Sequence, residues 1–302
     1  MIKVEGLSKT YGNGGADALR SVSFTVPAGQ VCGYLGPNGA GKSTTVRILT
    51  GLLRPTAGSA TVAGFDVATQ PLQVKRRIGY VPETGAVSPT LSANEYLALV
   101  GALHEMDPAE VGERSGRMLE LFQIGDAADR RLDTLSKGQR QKVVISAALL
   151  PDPDVILFDE PLSGLDANAA RTVKDIVRGL ADRGKTVLYC SHILDIVERL
   201  CDRVIILNRG RVIADGPTGD LLGARGATGA TGAPGATRQT LEEVFHELTT
   251  SGDHGELAAA FVDVVHARKD GDRVSAALAA PTGGASGSGA PKSGKGSKRH
   301  RR

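Results

Sequence analysis

One loop constrains the fold of this chain more than any other feature: residues 36–44, which read Gly-Pro-Asn-Gly-Ala-Gly-Lys-Ser-Thr. It follows the apolar run 31–35, which is typical of a strand covered on both faces, and leads into a helical stretch ending near Gly51. A Gly-x4-Gly-Lys-Ser loop between a strand and a helix is the P-loop pattern, whose backbone N–H groups cradle phosphate oxygens. The helix N-terminus adds partial positive charge. The loop therefore predicts a site for the phosphates of a nucleotide, with Lys42 on the β and γ phosphates and the Ser43 hydroxyl on Mg²⁺.

A second apolar strand supplies acidic groups. Residues 155–158 read Val-Ile-Leu-Phe and are followed directly by Asp159 and Glu160. A buried strand that ends in two acids delivers carboxylates to the carboxyl edge of a parallel sheet, where α/β folds place their ligands. We expect Asp159 to hold Mg²⁺ and Glu160 to face the attacking water as general base. An isolated acidic strand end is more often a solvated edge, but a P-loop lysine 117 residues upstream favours the catalytic interpretation.

The remaining pattern predicts an α/β fold, with a P-loop NTPase core, a mostly parallel sheet, an N-terminal antiparallel β region and an inserted helical subdomain. Apolar residues alternate with polar ones over 22–26, which favours antiparallel strands, and further strand is expected up to about Val81. A capping box, Ser92-Ala93-Asn94-Glu95, opens a helical region that extends to about Leu150. Strands alternate with helices over 155–207, as in parallel βαβ units.

Composition sets the expected domain boundaries. A nucleotide-binding domain is expected over 1–222, with its helical subdomain at about 86–150, and a C-terminal helix of that domain within 239–250. Between them, 223–238 form a Gly-rich stretch with five successive Gly-x-x triplets, too few for a collagen triple helix, so a flexible linker is favoured. Residues 251–302 are expected to form a flexible, basic tail.

Charge is concentrated at the end of the chain. Six Lys and Arg residues and no acid occur in 286–302, so a formal net charge of +3 leaves about −3 for the rest. A body with that balance is not a basic nucleic-acid binder, and we expect no specific nucleic-acid partner. The tail is either a solvated end or a segment attracted to anionic lipid.

Three further absences in the sequence narrow the class of protein. The cysteines, Cys32, Cys190 and Cys201, are odd in number and lack metal-binding spacing, which favours a reducing compartment. The N-terminus has no apolar run of signal-peptide length. The longest apolar stretch, 143–150, is far shorter than a membrane span of ~20 residues. We therefore expect a chain that does not cross a membrane unaided.

A second anion-binding helix end distinguishes this chain from other P-loop proteins. Leu135 is followed by Ser136, Lys137, Gly138 and Gln139, where Ser136 is a candidate N-cap and Gly138 exposes backbone donors. One nucleotide does not need two such ends on one chain. With this motif the sequence, over about residues 2–250, resembles the ATP-binding subunits of ABC transporters. In that family this signature grips the γ-phosphate of ATP held by the partner subunit, so the resemblance implies a head-to-tail dimer of this chain with itself or with a paralogous cassette.

The resemblance implies roles for other residues. Tyr11 is expected to stack on adenine, His192 to sense the γ-phosphate, and residues 163–166 to form the loop after the catalytic Glu160. Glu83 follows Gly79-Tyr80-Val81-Pro82, where the family often has Gln, and its carboxylate is expected on Mg²⁺. Lys137 stands where Gly is commoner in the signature. The ATP site is expected to comprise Tyr11, Gly36, Pro37, Asn38, Gly39, Ala40, Gly41, Lys42, Ser43 and Thr44.

The implied function is an ATPase that powers transport through a separately encoded membrane permease, from a peripheral position on the cytoplasmic face of the membrane. Glu83 and the closing segment 240–245 resemble the drug, antibiotic and lipid export branch, and the permease is expected to dock on about 88–150. The alternative is a soluble ABC-type ATPase acting on ribosomes or nucleic acid, but such chains usually have two cassettes or a long coiled coil. A P-loop GTPase would need an N-K-x-D guanine reader, which the sequence lacks. Nothing in the sequence specifies the cargo.

Overall fold

The computed structural model describes residues 1–12, 15–83, 88–223 and 239–249. Its main sheet has six strands, and the P-loop follows the carboxyl end of one of the inner strands. The strands are β1 (Ile2–Thr10), β2 (Asp17–Val26), β3 (Val31–Leu35), β4 (Ala57–Val62), β5 (Phe65–Asp66), β6 (Ile78–Val81), β7 (Val155–Asp159), β8 (Thr186–Cys190), β9 (Arg203–Asn208) and β10 (Arg211–Pro217). The helices are α1 (Lys42–Leu49), α2 (Pro71–Arg77), α3 (Ala93–Leu103), α4 (Pro108–Leu121), α5 (Lys137–Leu149), α6 (Ala167–Asp182), α7 (Leu194–Leu200), α8 (Thr218–Gly223) and α9 (Leu241–Thr249), with 3₁₀ turns at Gly125–Ala127 and Leu132–Thr134.

The strand order of the main sheet is β10-β9-β3-β8-β7-β6. Every pair from β9 to β6 is parallel, and β10 closes the edge as the antiparallel arm of a hairpin. Asp159 is in register with Cys190, and Tyr34 is in register with the same cysteine. The carboxyl ends of β3, β7 and β8 therefore meet at one edge of the sheet, as the predicted βαβ units require. A four-stranded sheet, β2-β1-β4-β5, confirms the predicted antiparallel region.

Two apolar cores lie on opposite faces of the main sheet. Along β3, Val31 and Leu35 belong to the core shared with α3–α7, whereas Cys32 and Tyr34 belong to the core shared with α1 and the antiparallel sheet. All residues of β3 are buried, because the strand is covered on both faces. Each fully buried aliphatic side chain contributes about 1.5–3 kcal/mol relative to exposure, so these two cores hold the loops at the sheet edge in place.

Helices α3–α5 follow β6 and form the inserted helical region. The predicted capping box of α3 is present: Ser92 Oγ accepts from Glu95 N, and the Glu95 carboxylate accepts from Ser92 N at 2.7 Å. Asp107 caps α4, with Pro108 at its first position. Helix α5 also begins with a capping box, described with the site below.

The structure corrects two sequence interpretations. Residues up to about Val81 were expected to be strand, but helix α2 intervenes at Pro71–Arg77, because Pro71 has the φ that the first turn of a helix needs. Gly223 was expected to open the linker, but it is the last residue of α8. The rest of the Gly-rich stretch, 224–238, and the basic tail lie outside the described residues. The predicted short C-terminal helix is confirmed as α9.

Candidate active site

The P-loop forms a tight turn between β3 and α1. A Cβ atom added at Gly36 would collide with the backbone oxygen of Leu207, and one added at Gly41 would lie 2.5 Å from the Ala18 oxygen. Gly41 also has a φ of +110°, which L side chains rarely adopt. Gly36 and Gly41 are therefore required, because neighbouring backbone leaves no room for a side chain at either position. With glycine there, the loop can make the tight turn that points its N–H groups inward.

The N-terminus of α1 offers donors and positive charge at this turn. Its cap residue, Gly41, has no side chain to satisfy the amides of the first turn, and no acidic residue lies in that turn. Lys42 reaches back across the loop, and its Nζ donates to Gly36 O at 2.6 Å and to Pro37 O at 3.2 Å. The exposed Ser43 is the next residue. This helix end can bind an anion.

Tyr11, the residue expected to stack on adenine, lies next to the P-loop. Its hydroxyl is 3.2 Å from Thr44 Oγ1, and the residue is 44% exposed. The Lys9 ammonium stands 5.7 Å from the ring centroid. An exposed aromatic ring at this position provides a face on which a flat ring can stack.

Three carboxylates gather where β6 and β7 end. Val81 pairs with Phe158 in the parallel register, so Glu83 and Asp159 follow neighbouring strand ends. Burial, together with the charges of Glu83 and Glu160, raises the pKa of Asp159 to about 6, while Lys42 and Arg47 oppose the shift. Because burial and neighbouring acids disfavour the charged form of Asp159, a cation bound nearby would stabilise that form.

Glu160 is held rigidly beside these groups. Its φ is +50°, in the left-handed region that costs a residue other than glycine about 1–2 kcal/mol. Glu160 Oε2 accepts a hydrogen bond from Ser191 Oγ at 3.1 Å. Glu160 Oε1 accepts one from the His192 backbone N–H at 2.7 Å, and His192 Nδ1 also lies 2.7 Å from Oε1. The Glu160 side chain is 16% exposed, whereas the His192 side chain is 77% exposed. The structure thus brings Glu160 and His192 together.

The predicted signature residues lie elsewhere. Ser136 caps α5: its Oγ accepts from Gln139 N, and the Gln139 side chain accepts from Ser136 N, both at 3.1 Å. Between described residues, no hydrogen bond or ion pair joins Ser136, Lys137, Gly138 or Gln139 to the P-loop. Ser136 and Gln139 bond to each other, and Lys137 and Gly138 contact the loop after Glu160. The second helix end is therefore not a partner of the first within one chain.

A protein-family model described as ABC transporter matches residues 19–163. The sequence is 43% identical over 225 residues to the daunorubicin/doxorubicin resistance ATP-binding protein DrrA of Streptomyces peucetius, which covers 74% of this chain and 68% of that protein. The chain belongs to the ABC transporter family. It is an ABC ATPase with the P-loop NTPase fold that the sequence predicts.

Two other relatives extend the comparison. The ABC ATPase is 35% identical over 222 residues to the Nod factor export ATP-binding protein I of Ralstonia nicotianae, a match that covers 74% of this chain and 68% of the relative. A solved structure of the ATP-binding cassette MJ0796, described as a dimer in a post-hydrolysis state bound to ADP and Pi, superposes with a TM-score of 0.67 at 27% identity. It covers 72% of this chain and 99% of that one.

Sequence reasoning missed two neighbours of the predicted residues. Ser191, buried directly after β8, holds Glu160 from the neighbouring strand, which lies between β7 and the P-loop strand β3, and its position directly before His192 was the available signal. Arg47, on α1, opposes the raised pKa of Asp159, but a lone arginine in a helix gives no signal in a sequence. Within the described residues, no group of three or more His, Cys, Asp or Glu side chains could hold a metal ion by itself, and no helix is long and apolar enough to cross a membrane.

Proposed function

We propose that this ABC ATPase hydrolyses ATP to power export through a separately encoded membrane permease. The observation that carries the proposal is the meeting of the P-loop strand, the Asp159 strand and the Glu160–His192 pair at one sheet edge. Among the described residues, the signature end of α5 makes no hydrogen bond to the P-loop. The groups at the sheet edge are half of a composite site on one chain. The other half requires a second chain.

ATP is proposed to bind along the P-loop. The turn of Gly36, Pro37, Asn38, Gly39, Ala40 and Gly41 cradles the phosphates, and Lys42 leaves its carbonyl partners to meet the β and γ oxygens. Ser43 and Thr44 continue the cradle into α1. The exposed ring of Tyr11, which contacts Thr44, stacks on adenine.

The donor set fits Mg²⁺. Magnesium prefers hard oxygen ligands and is usually held by one or two protein groups together with phosphates and water, so no cluster of three acids is needed. Ser43, Asp159 and Glu83 are proposed as its ligands, and the raised pKa of Asp159 marks the group that gains most from a nearby cation. When bound, the ion neutralises charge on the phosphates.

Glu160 is proposed to accept the proton of the attacking water. Two donors and the His192 ring fix its carboxylate, so the base does not have to be ordered at the moment of reaction. His192 has the exposure needed to reach a γ-phosphate while its Nδ1 remains on Glu160.

The second half of the site is proposed to come from a partner cassette, either another copy of this chain or a paralogue. The end of α5, with Ser136, Gly138 and Gln139, is proposed to meet the γ-phosphate. Its capping box uses the amides of Ser136 and Gln139 and leaves those of Lys137 and Gly138 for the anion. The dimer of the MJ0796 cassette supports a dimeric arrangement for this chain.

The permease is proposed to dock on the helical region. Leu99 and Leu103, one turn apart on α3, are 46% and 71% exposed. A groove of about 160 Å³ runs beside them between α3, α5 and β6, lined by Tyr80, Pro82, Tyr96, Val100 and His104 among others. Apolar residues exposed beside a groove suit an amphipathic segment of another protein. The name of the Nod factor export relative supports export, and a peripheral position on the cytoplasmic face of the membrane follows from docking to a permease.

Affinity purification tests the permease and the alternative together. The tagged chain, isolated from detergent-solubilised native membranes, should retain a membrane protein with about six apolar spans, and the combined change Leu99→Asp and Leu103→Asp should lose it while ATPase activity remains. Ile213→Asp is the matched control, because Ile213 is an exposed apolar residue on β10, at the opposite sheet edge from β6. Recovery of ribosomes instead of a membrane protein would favour the soluble ABC-type ATPase.

A further inference from the structure

Lys137 is the first residue of α5, between Ser136 and Gly138. The helix end around it is proposed to serve the nucleotide of the partner cassette. The Lys137 side chain instead contacts its own chain: its Nζ donates to Ser163 Oγ at 2.8 Å. Within the described residues that hydroxyl is the hydrogen-bond partner of this ammonium.

The backbone between these two residues is shaped around the lysine. Gly164 has a φ of +80°, and a Cβ atom at that position would lie 2.7 Å from Lys137 Cδ and 2.8 Å from Cγ. A Cβ atom at Gly138 would lie 2.7 Å from the Gly164 oxygen. The methylene groups of Lys137 therefore rest on bare backbone, and the α5 end packs directly on the loop.

The loop 161–165 connects this contact to Glu160. Buried Gln141, one turn further along α5, donates from Nε2 to Pro161 O at 3.1 Å. The Ser163 amide donates to Glu160 O at 3.1 Å. Glu160 is held from its other side by Ser191 and His192. These contacts join the end of α5 to a loop that begins directly after Glu160.

We propose that Lys137 is a positioning residue for Glu160 of its own chain, and that it links the helix end facing the partner's ATP to the general base of its own site. The proposal rests on the proposed function, since it takes Glu160 as the base and the α5 end as the trans contact. It gives the two sites of the dimer a physical connection within each chain: helix end, Lys137, Ser163, Glu160.

A dilution experiment separates action on the own site from action on the partner's. A trace of chain with an intact P-loop is assayed in large excess of Lys42→Ala chain, so that nearly every live P-loop pairs with an inactive partner. In the first arrangement the live chain carries Lys137→Met, which keeps the stem and removes the ammonium. In the second, the Lys42→Ala chain carries it. The proposal predicts that kcat falls about fivefold further in the first arrangement than in the second, with KM for ATP unchanged.

Homodimer variants supply an independent readout. Ser163→Ala should lower kcat by the same factor as Lys137→Met, and the double change should lower it no further, because both remove one hydrogen bond. Lys137→Arg should restore most of the activity. Lys75→Met is the control: Lys75 is an exposed lysine on α2, outside both α5 and the loop after Glu160, so kcat should not change.

The outcomes separate the two levels of the argument. A larger loss in the second arrangement, equal losses in both, or additive losses in the homodimer double variant would overturn the role of Lys137. If the undiluted wild type is active but the live chain with the Lys42→Ala partner shows no activity, turnover requires two intact sites, and the homodimer variants then decide the role of Lys137 alone. The composite site of the proposed function is contradicted if the live chain stays fully active in excess of chain that carries both Lys42→Ala and Ser136→Arg.

Discussion

Asp159→Asn should stabilise the nucleotide-free and metal-free protein. The pKa of Asp159 rises from 3.8 to about 6, chiefly because its charged form is desolvated and then because Glu83 and Glu160 lie nearby. A raised carboxyl pKa means that ionisation opposes folding: the penalty is absent well below pH 4, grows between about pH 4 and pH 6, and is complete above pH 6. Two units correspond to about 3 kcal/mol, which partial exposure of the group reduces to about 1–2 kcal/mol.

Thermal unfolding in EDTA measures this directly. At pH 7.5 the variant should melt about 3–6 °C above the wild type, and the difference should fall to about a third of that at pH 4.5. Asp175→Asn, which neutralises an exposed acid on α6, is the control and should shift the melting temperature by less than about 1 °C. With Mg²⁺ and ATP added, the wild type should melt at a higher temperature than Asp159→Asn, because ligand binding stabilises the wild type more. A destabilised Asp159→Asn protein, or a stabilisation that does not change with pH, would refute the reasoning.

The remaining predictions concern the phosphates, the base and the tail. Lys42→Ala should remove most ATP hydrolysis, because no other cation in the P-loop can cancel the β and γ charge; near wild-type turnover in a phosphate-release assay would contradict the assignment. Glu160→Gln should bind ATP without hydrolysing it and accumulate as a dimer in gel filtration with ATP, so a monomer alone would count against the base. Deletion of residues 286–302, if that tail attracts anionic lipid at about 1 kcal/mol per basic residue, should weaken liposome binding at low salt without changing ATPase activity; unchanged binding would leave the tail a solvated end.

The sequence predicted the parts of the fold that depend on local pattern. The buried strands β3 and β7, the capping box of α3, the Ser136 N-cap of α5 and the P-loop turn were all predicted, because their residues act through neighbours in the chain. Helix α2 was missed because its seven residues have no side-chain cap and Val74 alone among them is buried. Neither a capping motif nor an apolar periodicity therefore indicates a helix there.

The sequence was enough to predict which residues belong to the site, but not the hydrogen bonds between residues far apart in the chain. The Lys137–Ser163 hydrogen bond joins residues 26 apart, and Ser191 meets Glu160 across 31 residues, so only the fold brings them together. The raised pKa of Asp159 is likewise a property of burial and of neighbours supplied by three different elements. The roles of Tyr11, Glu83 and the signature residues stay predictions.

The central claim is that each active site combines the P-loop of one chain with the signature of another. A homodimer of Lys42→Ala chains has two inactive sites, and so has a homodimer of Ser136→Arg chains, in which a bulky cation blocks the seat of the γ-phosphate. In a mixed dimer both defects fall in one site, and the other site pairs an intact P-loop with an intact signature.

Mixing the two inactive variants and measuring phosphate release tests this claim most directly. The account predicts that the mixture regains a substantial part of wild-type ATPase activity, whereas dimers of wild-type and doubly mutated chains, with one defect in each site, stay inactive. No recovery on mixing, together with activity near half of wild type in the dimers of wild-type and doubly mutated chains, would show that each chain hydrolyses ATP alone and would contradict the account.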